Sequence, residues 1–265
     1  MMRSMYSGIS GIRAHQVKMD VVANNIANVN TVGFKASRVT FQEVLNQTIQ
    51  PAFAGNEDGL GGTNPQQIGL GVGVASIDVM HNANGVQRTD RTLDVSIAGD
   101  GFFKVTDGSN DFYTRAGNFY LDGDNNLVTR NGYQVCDEDG DPIQLGPGSF
   151  TSLSIDQGGN IKATDEDGSV QELGTIGLVN FANPQGLLKA GDNLYQATTN
   201  SGDPLQGQPG ESGFSSLIPG TLEMSNVDLS QEFTDMIIAQ RGFQANSRVI
   251  TTSNNMLEEL ANIIR

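Results

Sequence analysis

The side chains in this sequence that could do chemistry are two histidines, His15 and His81, one cysteine, Cys136, and a run of carboxylates in the middle of the chain. Nucleophilic catalysis needs a base within reach of a Ser, Thr or Cys. His15 falls inside an amphipathic segment and His81 lies in the polar turn His81-Asn82-Ala83-Asn84-Gly85; neither stands beside a Gly-x-Ser-x-Gly elbow. Cys136 precedes Asp137-Glu138-Asp139-Gly140-Asp141, whose charges would raise its pKa and discourage thiolate chemistry.

Between Asp107 and Glu172 stand 13 Asp and Glu against 3 Arg and Lys. Such a run suits either a calcium loop or a carboxylate pair for glycoside hydrolysis, or else solvated turn tips. Asp122, Asp124 and Asn126 imitate the first ligands of an EF-hand, but Leu127 stands where glycine is required and Tyr133 where glutamate is required. In Asp137–Asp141 the glycine comes two positions early. Gly69, Gly71 and Gly73 have the third glycine of a nucleotide loop misplaced, with no Gly-Lys-Ser/Thr after them. The sequence thus presents turn tips, and no catalytic, cofactor-binding or metal site.

The chain has 265 residues, 15 Lys and Arg against 30 Asp and Glu, and a formal charge of -15. Attraction to nucleic acid or to anionic lipid is therefore of the wrong sign. No apolar run of 18 residues predicts membrane insertion, and Met1-Met2-Arg3-Ser4-Met5-Tyr6 lacks the apolar core of a secretory signal. One cysteine excludes an internal disulfide, and with two histidines it cannot build a Cys/His zinc site. The 33 glycines, the absence of Trp and the 17% charge favour turns and short strands.

The elements that must position these residues divide by glycine and proline. Residues 1–30 and 228–265 hold only Gly8, Gly11 and Gly242 and no proline. Met5, Ile9, Ile12, Met19, Val22 and Ile26 recur at spacings of three, four or seven, with Ala14, Val17 and Val21 on roughly the opposite side, so the first helix needs more than one neighbour. It exits through Asn24-Asn25-Ile26-Ala27-Asn28 toward Gly33. Leu229, Met236, Phe243, Ile250, Leu257 and Ile264 repeat every seven residues, with Phe233 beside them and Asp228 as N-cap. A helix of this length, with the polar Gln240, Ser247 and Asn254 between its apolar positions, predicts a narrow seam around a partner: the first helix, supplemented by other copies. The fold class is α+β, discontinuous terminal helices paired as in a coiled coil and a β-rich middle of hairpins closed as a barrel or sandwich. The expected domains are 1–30 plus 228–265 (helical), 31–70 (connector, loosest over 51–67) and 71–227 (β-rich).

Several segments resemble the bacterial flagellar rod and hook protein family. Asp20 to Lys35, with Asn24, Asn25, Ala27, Asn28, Gly33, Phe34 and Lys35, is similar to its N-terminal signature. Leu222-Glu223-Met224-Ser225-Asn226-Val227-Asp228-Leu229, with Glu232-Phe233 and Ile238-Ala239-Gln240-Arg241-Gly242-Phe243, resembles the C-terminal one. Arg91-Thr92-Leu93-Asp94-Val95-Ser96-Ile97, Gly99-Asp100-Gly101-Phe102-Phe103 and Tyr113-Thr114-Arg115-Ala116-Gly117-Asn118-Phe119 are similar to its central segment. Within the family, Arg3 to Gly11 and Gly61 to Gly71 look most like the short hook type of Bacillus-like bacteria; a distal rod subunit is the alternative. The chain's brevity implies that the extra outer domain of many hook proteins is absent or much reduced.

The resemblance implies an inner tube of paired terminal helices with β domains outside, and export through the flagellar channel without a cleaved signal. It implies that the protein is no enzyme and that its partners are further copies of itself, flagellar rod and hook-filament junction proteins, and the hook cap and export apparatus during assembly. Met5, Ile9, Ile12, Met19 and Ile26 are then expected to pack against Leu229, Phe233, Met236, Phe243, Ile250 and Leu257. A secreted carbohydrate-active protein and a calcium-binding adhesin are the readings from other classes, and neither explains two proline-free helices at opposite ends.

Overall fold

The computed structural model describes residues 2–54, 61–146, 150–165, 169–211 and 213–263, with the backbone alone at Thr151 and Asp165. The expectations for Gly55 and Gly59 in the connector, for Glu166 and Asp167 as turn tips and for Ile264 in the heptad lie outside these residues. The chain divides into two units, Met1–Ala27 with Ser37–Asp78 and Asp228–Arg265, and Asn28–Ala36 with Val79–Val227.

The first unit is built on α1 (Met2–Ala27) and α2 (Leu229–Ile263), which pack against each other. The 35 residues of α2 span about 52 Å at 1.5 Å per residue. Asp228 caps it, its Oδ1 accepting from the amides of Ser230 at 2.8 Å and Gln231 at 3.3 Å. The segment 37–79 is strand at both ends: β1 (Ser37–Glu43), β2 (Asn46–Gln50), β3 (Gln66–Gly69) and β4 (Val72–Val79). β1 pairs with β4 and β2 with β3, and the Val44 amide bonds the Gly71 carbonyl at 3.0 Å, so they run on as a two-stranded ribbon. Much of this ribbon occupies the stretch read above as connector. Its residues 46–50 and 66–69 are mostly polar and all exposed, so no burial alternation marked them as strand.

The second unit is the β-rich middle. β5 (Val86–Arg88) pairs with β20 (Thr221–Glu223), and β6 (Val95–Ile97) with β19 (Leu217–Pro219). A nine-stranded sheet takes β7 (Phe102–Thr106), β8 (Asp111–Thr114), β9 (Phe119–Leu121), β10 (Leu127–Thr129), β11 (Gln134–Val135), β15 (Leu178–Asn180), β16 (Leu188–Gly191), β17 (Leu194–Gln196) and β18 (Leu205–Gly207). β12 (Phe150–Ile155), β13 (Asn160–Asp165) and β14 (Val170–Thr175) form an antiparallel meander. The core joins these layers through Phe103, Phe119, Leu127, Val135, Ile161, Ile176, Leu178 and Leu217. A second cluster joins Val179 and Leu187 to Phe102, Tyr113, Phe181 and Tyr195, whose rings meet edge to face. Each such side chain contributes roughly 1.5–3 kcal/mol by leaving water.

Candidate functional site

In the helical unit the helices meet along an unexpected line on α1. Ser4 faces Ser253 (Oγ to Oγ 3.5 Å), Gly8 faces Ile250, Gly11 faces Asn246, His15 faces Gly242, Lys18 bonds Asp235 at 2.8 Å and Asn25 bonds Glu232 at 2.9 Å. These pairings run antiparallel, and Ser4, Gly8, Gly11, His15, Lys18, Val22 and Asn25 alternate spacings of four and three. The seam on α1 is therefore small and polar. A Cβ on Gly11 would lie 2.6 Å from the Asn246 carboxamide, which would have to turn aside to admit it.

The stripe Met5, Ile9, Ile12, Met19 and Ile26 is offset from that line by one residue and is only partly buried. On α2, Met236, Phe243, Ile250 and Leu257 are partly buried, but Leu229 and Phe233 are exposed, at 40% and 51%. At the seam Asn246 and Ser253 of α2 meet Gly11 and Ser4, and Ala239 is buried. Ile237, Ile238, Val249, Met256, Leu260 and Ile263 stay exposed on α2, as do Tyr6 on α1 and Leu45, Ile49 and Phe53 on the ribbon side. Exposed apolar side chains in this number are characteristic of interaction surfaces.

An adjacent side of α1 meets the ribbon. The Val72 amide donates to Ser10 Oγ at 3.3 Å, the His15 ring packs on Phe41 with centroids 5.9 Å apart, and Ala14 is buried. At the C-terminal end of α1, buried Asn25 ties three elements: its Nδ2 donates to the Ser37 carbonyl and to Glu232 Oε1, and its Oδ1 accepts from the Ser37 amide at 3.0 Å. Burial raises the Glu232 pKa, and the Asn25 donor acts against that.

In the β unit the signature residues converge. Gly33 takes φ +68°, and a Cβ there would come within 2.8 Å of the Ala116 amide, so no larger residue fits the turn that follows α1. Phe34 is buried with the Lys189 ammonium 5.1 Å from its ring. Lys35 Nζ donates to Glu223 Oε1 at 2.6 Å and to the Asn82 carbonyl at 2.7 Å. The other Glu223 oxygen faces Arg115 at 3.4 Å, and Arg115 donates to the Gly99 carbonyl at 2.7 Å. All three charged side chains are at most 1% exposed.

One residue from each of the N-terminal, central and C-terminal signatures thus meets in a single buried charge cluster. Burial lowers the pKa of Lys35 and of Arg115, and the Glu223 carboxylate opposes it in both. Beside them His81 packs edge to face on Phe102 and Tyr195, and its pKa is pushed down to about 4 by burial and then by Lys35, Arg115 and Lys189. Backbone bonds complete the closure: the Gly33 amide to the Glu223 carbonyl at 2.9 Å, the Ala36 amide to Asn226 Oδ1 at 2.7 Å, and Asn226 Nδ2 to the Met80 carbonyl at 2.8 Å. No sequence spacing announces this cluster.

Asn28 accepts from Thr31 Oγ1 at 3.1 Å in the turn after α1, while Asn24 and Ala27 are exposed. The acidic turns bond their own backbone: Asp107 Oδ1 accepts from the Ser109 and Asn110 amides, Asp122 from Gly123 and Asp137 from Asp139. Among the described residues no group of three or more His, Cys, Asp or Glu could hold a metal ion. Cys136 is buried, and burial pushes its thiol up to about 11. Among the described residues no helix is long and apolar enough to cross a membrane.

Three regions match known families: residues 5–35 the flagella basal body rod protein, residues 96–163 the flagellar hook protein FlgE/F/G D1 domain, and residues 218–263 the flagellar basal body rod FlgEFG protein C-terminal region. The flagellar basal-body rod protein FlgG of Bacillus subtilis (strain 168) is 52% identical over 266 residues, covering 100% of both chains. The protein of that name from Buchnera aphidicola subsp. Acyrthosiphon pisum (strain APS) is 39% identical, covering 99% of this chain and 100% of its own. The flagellar hook protein FlgE of Borreliella burgdorferi (strain ATCC 35210 / DSM 4680 / CIP 102532 / B31) is 30% identical, with 99% of this chain and 100% of its own covered, but over 441 residues.

Proposed function

The chain belongs to the family of flagellar rod and hook proteins, and we propose that within it this protein is a subunit of the basal-body rod. Membership makes it a structural protein of the flagellum and not an enzyme. The rod reading, the alternative in the sequence reading above, is carried by one observation. The Bacillus subtilis rod protein aligns end to end in 266 positions, whereas the hook relative needs 441 to accommodate the 265 residues of this chain. The hook reading retains the short-hook likeness of the segments 3–11 and 61–71.

The mechanism is assembly. The two helices share a small, polar seam within one copy, and the apolar side chains they leave in water are those that neighbouring copies would cover. Seven exposed or half-buried residues on α2, Phe233, Ile237, Ile238, Phe243, Val249, Met256 and Leu260, lie on more than one side of the helix, as a helix inside a multi-helix tube requires. Phe243→Asp or Ile250→Asp is expected to stop polymerisation while the β unit keeps its near-ultraviolet circular dichroism; tubes of normal yield from either variant would contradict it.

Electron microscopy of basal bodies from cells lacking this chain tests the rod assignment. A shaft truncated inside the cell envelope is expected. A full shaft that lacks only its external curved segment would transfer the assignment to the hook.

A further inference from the structure

We propose that the groove beside the asparagine-rich segment of the β unit receives the acidic turn Asp137–Asp141 of a neighbouring copy, an inference that rests on the reading of the chain as a polymer subunit. The groove has a volume of about 740 Å3 and is lined by carboxamides, among them Asn30, Asn118, Asn131 and Asn193, together with Arg130 and Asp192. Each carboxamide both donates and accepts, which suits the alternating groups of a peptide backbone and not an apolar ligand. The groove is built firmly: Asp192 and Asn193 take φ +51° and +60°, and Asn193 Nδ2 is bonded to the Val32 carbonyl at 3.0 Å.

The charges select the occupant. In the β unit Arg88, Arg91, Lys104, Arg115 and Lys162 each face a carboxylate of their own copy. Arg130 is exposed in the groove and, among the described residues, has no ion pair. Conversely Glu138, Asp139 and Asp141 are exposed carboxylates with no cation partner among the described residues. Their turn is already closed, the Asp137 amide bonding the Asp141 carbonyl at 2.9 Å and the Gly140 amide the Asp137 carbonyl at 3.1 Å, so little order remains to be imposed on docking. Copies of a chain with a net charge of -15 repel one another, and seating these carboxylates on the Arg130 guanidinium removes part of that repulsion where the copies meet.

Disulfide trapping tests the contact, since the native Cys136 is buried and does not compete. In the variant Asn131→Cys with Asp139→Cys, mild oxidation of assembled tubes is expected to yield a ladder of covalently linked copies, and oxidation of dilute monomer none. The pair Asn131→Cys with Val170→Cys is the control and is expected to stay unlinked. Tubes that form but give no ladder, or that link only within one copy, overturn the inference and leave the assembly reading standing; failure of the unmodified chain to form tubes overturns the assembly reading itself. If the cysteine pair blocks assembly, charge exchange decides: Arg130→Glu is expected to raise the critical concentration for assembly at least tenfold, and adding Asp139→Lys to recover most of it. No effect of the first change, or no recovery with the second, contradicts the contact.

Discussion

The two units of the chain handle their apolar side chains in opposite ways. In the β unit Phe103, Phe119, Leu127, Val135, Ile161, Ile176 and Leu178 are all but removed from water, and a second layer of aromatic rings is buried beside them. In the helical unit many large apolar residues are exposed: Phe53, Ile237, Ile238 and Ile263 lie 54–78% in solvent, while the buried positions on the helices are Gly8, Gly11, Ala14, Val22, Asn25, Ala239 and Ser253. The first arrangement is complete within one molecule. The second leaves its hydrophobic stabilisation unclaimed until other surfaces arrive.

The difference can be attacked at the charge cluster first. Glu223→Ala strands Lys35 and Arg115 as buried, uncompensated cations, and the loss of a partner in such a cluster costs about 3–5 kcal/mol. Chemical denaturation of the monomer, followed through near-ultraviolet circular dichroism, is expected to show that loss. A change below about 1 kcal/mol would mean that the β unit does not depend on its signature residues.

The next effect follows pH. His81 is held at about 4, against 6.5 in the unfolded chain, so between these values the unfolded chain binds a proton that the folded one refuses. Stability is therefore intact above pH 6.5 and falls as the pH drops toward 4, by roughly 3 kcal/mol at 1.36 kcal/mol per pKa unit. His81→Phe, placed among Phe102 and Tyr195, should flatten that part of the profile; an unchanged slope would assign it to other groups.

Smaller still is the effect at the helix seam. Gly11→Leu forces a side chain into the Asn246 carboxamide and is expected to cost about 1–3 kcal/mol in the pairing of α1 with α2, read as lost helical circular dichroism with the β unit unaffected. Smallest in the monomer is Ile238→Ser: an exposed position should change monomer stability by no more than about 0.5 kcal/mol, yet reduce assembly sharply. Equal effects on monomer and tube would erase the distinction between the units.

What the sequence made legible follows the same division. Helix periodicity and the absence of proline located α1 and α2. The α1 side of the seam was not legible, because periodicity follows large apolar residues and these contacts run through glycine, serine, histidine and lysine. Strands such as β2 and β3 were hidden because every residue in them faces solvent. The signature residues stood out as a pattern, but the meeting of positions 35, 115 and 223 is a property of the folded sheet, and no local rule encodes it.

The most direct measurement is amide hydrogen exchange of the same chain as monomer and in assembled tubes. The β unit should be equally protected in both, while residues 229–263 of α2 and 2–27 of α1 exchange much faster in the monomer than in the tube. Helices as slow to exchange in the monomer as in the tube would contradict the view that their packing is completed by sister molecules.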